Sequence, residues 1–122
     1  MEMHLIEWLD TILNSEIPEN IVALNFNLYD DGDFNWSIEL IGTSRFDLKD
    51  DDWACDEAFD FGTRENPLSW QQECEWETIL NSAVETISDY LIDGKYSALM
   101  KTFKGIGVGF VDGEIEIIHC NA

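Results

Sequence analysis

The chain has 122 residues, with 26 Asp and Glu against 6 Lys and Arg, a formal charge of −20 and 45% hydrophobic residues. That length holds one core and predicts a single globular domain over 1–122, and the apolar content excludes a disordered chain despite the charge. The same charge excludes nucleic acid and anionic membrane as partners, since both repel it, and no apolar run reaches the length of a membrane span.

The first residues, "MEMHLIEWLD", have no basic stretch and no small-residue cleavage site, so no secretory signal is expected. Residues 3–14 place Leu5, Trp8, Leu9, Ile12 and Leu13 on one helical face, with Glu7, Asp10 and Thr11 opposite. Pro18 marks the exit from this helix. "IVALNFNLY" at 21–29 then alternates with period two, Val22, Leu24, Phe26 and Leu28 against Ala23, Asn25, Asn27 and Tyr29. "DDGD" predicts a turn centred on Asp-Gly, and "FNWSIELIG" alternates again, with Phe34, Trp36, Ile38 and Leu40 inward and Asn35, Ser37 and Glu39 outward. This is an antiparallel hairpin with one covered face and one face free to meet water.

Next comes "DLKDDDWACDEAFDFG" at 47–62, seven carboxylates and one lysine threaded with Trp53, Phe59 and Phe61. A solvated acidic loop does not need those rings, and a buried strand does not tolerate that charge. The pattern predicts an exposed loop over 47–52 and a short third strand within 53–61 that holds Asp56, Glu57 and Asp60 in place. "RENPLSWQQECEW" predicts the start of the longest helix, capped by Ser69 with Gln72. Its apolar stripe is Trp76, Leu80, Ala83, Val84, Ile87 and Leu91, and Gly94 stops it. "KYSALMKTF" is a further short helix. The end, "GIGVGFVDGEIEIIH", predicts a second hairpin, with Ile106, Val108, Phe110, Ile115 and Ile117 inward and Glu114 and Glu116 outward. The fold class is therefore α+β: one antiparallel sheet of four to five strands packed on helices, in the order α-β-β-(β)-α-α-β-β.

Chemistry is harder to find. Among 26 acids some pair always suits acid–base catalysis, so such a pair says little. An EF-hand loop needs acids or amides at positions 1, 3 and 5, Gly at 6 and Glu at 12. From Asp47, position 3 is Lys49, position 6 is Asp52 and position 12 is Ala58; from Asp50, position 5 is Ala54. Cys55, Cys74 and Cys120 form no C-x-x-C pair, and with two His they make no zinc set. Carboxylates around Cys55 favour the neutral thiol, so a Cys55–His119 nucleophile pair is not expected. "GIGVG" lacks phosphate-loop spacing and leads into a strand. Its alternate glycines let something pack close to the backbone, either the chain itself or a partner beside Glu114 and Glu116. No catalytic residue, cofactor or metal site is expected.

What remains is a binding surface for a basic protein, drawn in by opposite fields. The carboxylates assigned to it are Asp50, Asp51, Asp52, Asp56, Glu57 and Asp60, with Asp30, Asp31 and Asp33 of the first turn and Glu114 and Glu116 of the last hairpin. An acidic surface serving only solubility, or a salty cell, needs no partner. The chain resembles the acidic immunity proteins of bacterial polymorphic-toxin and contact-dependent inhibition systems, through "DDDWACDEAFDF" at 50–61 and "KGIGVGFVDGEIEII" at 104–118. The resemblance implies a cytoplasmic, non-catalytic protein that binds a cognate toxin, often a basic nuclease, and blocks its active site or substrate groove. Two alternatives stay open: a nucleic-acid mimic or acidic adaptor for host basic proteins, and a small carboxylate-based enzyme or metal-binding protein.

Overall fold

A computed structural model describes residues 1–121 as an α+β fold, one open mixed sheet of six strands with three α-helices. The helices are α1 (Glu2–Ile12), α2 (Trp76–Asp93) and α3 (Ser97–Met100). The strands are β1 (Ala23–Gly32), β2 (Asn35–Thr43), β3 (Glu57–Phe59), β4 (Leu68–Gln71), β5 (Gly105–Phe110) and β6 (Glu116–Cys120). The order is β3-β2-β1-β5-β6, and β4 also pairs with β2. The sheet is not wholly antiparallel, because β5 runs parallel to β1, Ala23 opposite Gly105 and Leu28 opposite Phe110. Two hairpins alone do not dictate how they dock, and α2 carries the chain back so that β5 enters in the same direction as β1.

One face of the sheet is the expected apolar one. Leu24, Phe26 and Leu28 of β1, Ile38 and Leu40 of β2, and Ile106 and Val108 of β5 are buried in one core with Leu5, Leu9 and Leu13. The α2 stripe is rotated from the predicted one. Ile79, Ala83, Thr86, Ile87, Tyr90 and Leu91 are buried, while Trp76 stands half exposed. The predicted stripe follows Leu80 and Val84, whereas the buried one follows Ile79, Thr86 and Tyr90, and the polar groups of the last two hide that face from a periodicity reading. Tyr90 donates to Asp10 Oδ1 at 2.7 Å, joining α2 to α1. α2 ends where the backbone turns extended at Gly94, and the residue there is Gly because a side chain would strike the Tyr90 ring, with Cγ only 2.5 Å from an added Cβ.

Two local expectations are corrected and a third is narrowed. Residues 68–71 are a strand, not a helix start, so Ser69 and Gln72 form no capping box; α2 begins at Trp76 behind Glu75. The short third strand expected within 53–61 is present as Glu57–Phe59, preceded by a 3₁₀ turn at Asp51–Cys55 that takes the end of the expected loop. The first hairpin turns on Asp33 and Phe34, not on Asp31 and Gly32: Gly32 pairs with Asn35, and Asp33 and Phe34 have φ of 52° and 59°. This is a two-residue turn of the type that matches strand twist, but with a bulky ring where Gly or Asn is usual.

The free edge of β2 is shared. Gly42 and Thr43 pair with β3, and residues 35–38 pair with β4. Between them Thr63 takes the place of a strand: its Oγ1 accepts from the Leu40 N–H at 2.9 Å and lies 3.0 Å from the Leu40 carbonyl.

Candidate functional site

The second face of the sheet does not simply meet water. Ser37 and Glu39, expected outward and solvated, are buried. Gly105, Gly107 and Gly109 form a bare stripe on this face, and the chain itself fills it. An added Cβ would lie 2.1 Å from Phe46 Cε1 at Gly105, 2.5 Å from Ile115 Cγ2 at Gly107, and 2.5 Å from the Glu114 carbonyl at Gly109. Trp53, with no exposure, packs edge-on to Phe46 at 5.0 Å and reaches Gly107. Its indole N–H and Asn25 Oδ1 are buried without partners, so packing rather than hydrogen bonding holds this anchor. Ile115 and Ile117 serve this face, not the apolar core, because a bulge between Ile106 and Gly107 sets Ile117 opposite Gly107 and Glu116 opposite Val108.

The anchor positions the acids around it. Asp50 caps the 3₁₀ turn, accepting from the Asp52 N–H at 3.0 Å, and Asp51 Oδ2 accepts from the Ile115 N–H at 3.4 Å. Asp30 accepts from Gly32 N–H, Asp47 from Lys49 N–H and Asp60 from Gly62 N–H in the same i to i+2 manner. Asn makes that turn as well as Asp does, so these bonds account for the residue shape but not for the charge.

The predicted carboxylates separate into two groups. Asp56 is spoken for by Arg45 at 2.6 Å, and Glu57 by a two-pronged pair with Arg64. The hydrogen bonds and charge of Glu57 raise the Arg64 pKa above its ordinary value. Asp60 sits half-buried beside β3, at the opposite sheet edge from β6, and Glu116 stands exposed on β6. Asp31 lines a cleft with Tyr29, Glu39 and Arg64. The other group converges. Asp30 near the end of β1, Asp33 of the β1–β2 turn, Asp51 and Asp52 of the 3₁₀ turn, and Gly113 of the β5–β6 turn, next in the chain to Glu114, line three adjoining clefts of about 400, 290 and 340 Å³.

Sequence reading missed what these clefts share. The first two have Asp30 and Trp76 in common, and the last two Phe110 and Gly113. Trp76 is 50% exposed and Phe34 45%, although both were assigned to the core. Trp36, buried, meets Phe110 edge-on at 6.0 Å, and Phe110 meets Trp76 edge-on at 5.9 Å. A chain of rings thus runs from the core to the surface and braces Trp76 there, with Glu75 and Asp112 as further acids. The available signal was the position of Trp76 between Glu75 and Glu77 at a helix start, where a ring is less covered than in mid-helix.

Glu39 is the candidate for acid–base work, 3% exposed beside the Tyr29–Arg64 cleft. Its Oε1 accepts from Tyr29 at 2.5 Å and Asn27 at 3.0 Å, and its Oε2 lies 3.6 Å from Arg64 Nε. Burial, then the hydrogen bond to Glu39, pushes the Tyr29 hydroxyl well above its usual pKa, so it stays a donor. A carboxylate so committed is a structural tie across the face. Among the described residues no group of three or more His, Cys, Asp or Glu is placed to hold a metal ion, and no helix is long and apolar enough to cross a membrane. No protein-family model, curated protein or solved structure matches the chain.

Proposed function

We propose that this chain is a non-catalytic acidic binding protein for a basic protein partner, of the immunity type. It would bind a cognate, nuclease-like toxin in the cytoplasm and cover its active site or substrate groove with carboxylates standing where phosphates would sit. One observation carries this reading. Asp30, Asp33, Asp51, Asp52, Glu75 and Asp112 line contiguous clefts around the exposed rings of Trp76 and Phe34, and among the described residues no Lys or Arg lines those clefts. Charge alone would serve solubility, but exposed rings among charges, Trp76 braced by Phe110, resemble the anchors and rim of an interface. The charges speed encounter, and the rings slow release.

The twisted backbone at Phe34 points the same way. A bulky residue in the left-handed region costs roughly 1–2 kcal/mol, and such costs persist where something else selects for the side chain. The test is affinity capture from a lysate of the native strain, at low and moderate salt, with mass spectrometry. One dominant basic partner supports the immunity reading. A spread of nucleoid proteins supports the mimic instead, and no basic partner at either salt removes both.

A further inference from the structure

We infer that the groove between the β1–β2 turn and the start of α2 receives an arginine side chain of the basic partner, its guanidinium stacked on Trp76 and forked onto Asp30 and Asp33. This rests on the reading above and adds the chemistry of one contact. The groove, about 400 Å³, is walled by Asp30, Asp33, Phe34, Glu75 and Trp76. Trp76 offers half its surface but cannot swing freely, since Phe110 meets it at 5.9 Å with the rings at 88°. Asp30 is held by the Gly32 N–H, and the Phe34 carbonyl accepts from Gln72 N–H at 2.9 Å, so the turn that carries both walls is tied to the segment leading into α2.

Two fields compete in this groove. The α2 N-terminus contributes about half a positive charge, which would favour an anion. Asp30, Asp33 and Glu75 supply three negative charges at the same place, and Asp112 a fourth in the adjoining cleft, so the groove selects a cation. The walls then choose which cation. A lysine ammonium is a strongly hydrated point charge that gains little from a flat ring. A guanidinium is planar, weakly hydrated, stacks on indole and presents paired donors to carboxylates. Aromatic wall and carboxylates together fit arginine.

The probe is a blocked Gly-Arg-Gly peptide, with its lysine and citrulline counterparts, titrated into ¹⁵N-labelled protein at low ionic strength. The signal is the indole N–H of Trp76, assigned by its loss in Trp76→Phe. The arginine peptide should shift it saturably, the lysine peptide should bind about threefold or more weakly, and the uncharged citrulline peptide should leave it in place. Asp30→Asn with Asp33→Asn should weaken the arginine peptide without moving the signals of Trp53 and Trp8, which lie outside the groove. Equal binding of lysine and arginine peptides, or no shift at Trp76, overturns the inference. Failure here is separable from failure of the wider reading. If a captured basic partner binds Trp76→Ala as tightly as the wild type, the groove inference falls and the partner stands. If no basic partner is captured, the peptide titration still decides the groove.

Discussion

The indole of Trp53 lies over Gly107, where an added methyl group would come within 3.3 Å of Cζ2. The two residues bind the 3₁₀ turn Asp51–Cys55 to the last hairpin, and the placement of Asp51 and Asp52 depends on that contact. Trp53→Ala should therefore cost about 3–5 kcal/mol in chemical denaturation, the range for a large ring lost from a full core position. A cost near zero would mean that the 3₁₀ turn is not anchored at all, and the acids of this turn would lose their fixed geometry.

Thr63 stands in for a strand between β3 and β4. Thr63→Val keeps the shape and removes the hydroxyl, leaving the Leu40 N–H and carbonyl unpaired in a buried place. The expected loss is about 1–3 kcal/mol. Hydrogen exchange gives a sharper readout, because the Leu40 amide should become the least protected in the middle of β2.

Phe34 sets stability against binding. Phe34→Asn places a residue that accepts the left-handed region at the turn. The variant should be more stable than the wild type, by up to about 1 kcal/mol, and should release a captured partner faster. A variant both less stable and unchanged in binding would show that Phe34 serves the fold alone.

Alkaline pH tests the hydroxyls of Tyr29 and Tyr90. Burial, then hydrogen bonds to Glu39 and Asp10 respectively, raise the pKa of Tyr29 and Tyr90 above the ordinary value near 10. The folded state then holds those protons more tightly than the unfolded chain, so their contribution is complete below pH ~10 and is lost as pH rises above it. Tyr29→Phe with Tyr90→Phe should flatten the decline in stability between roughly pH 10 and 11.5. Parallel curves for variant and wild type would contradict the assignment.

The elements with one clean period were legible from residues alone: α1, the first hairpin, the body of α2 and the glycine strand. Each carries one apolar face, and that face is what periodicity reports. The β4 strand was not, because "LSWQ" has one ring and a helix-cap pattern, and its strand state comes from pairing with Trp36 and Ile38 on β2. The parallel docking of β5 on β1 is likewise a long-range choice with no local mark. At the site, the acids were visible as a cluster, but the partition was not. Arg45 and Arg64 neutralise Asp56 and Glu57 through contacts that cross turns, and the exposure of Trp76 depends on where α2 begins. The glycine stripe had two readings, and the chain's own Phe46, Ile115 and Glu114 fill it.

The central claim is that the converging acids, rather than the paired ones, meet a basic partner. Its most direct test is the association rate of the captured partner, measured across a salt series. Wild type is compared with a variant carrying Asn at Asp30, Asp33, Asp51 and Asp52, and with a variant carrying Asp56→Asn and Glu57→Gln. Asn preserves the turn hydrogen bonds, so the fold should stand. The first variant should associate at least about tenfold more slowly at low salt with a flatter salt dependence, and the second should change far less per charge removed. Equal slowing per charge in both variants, or an unchanged rate in the first, would contradict it.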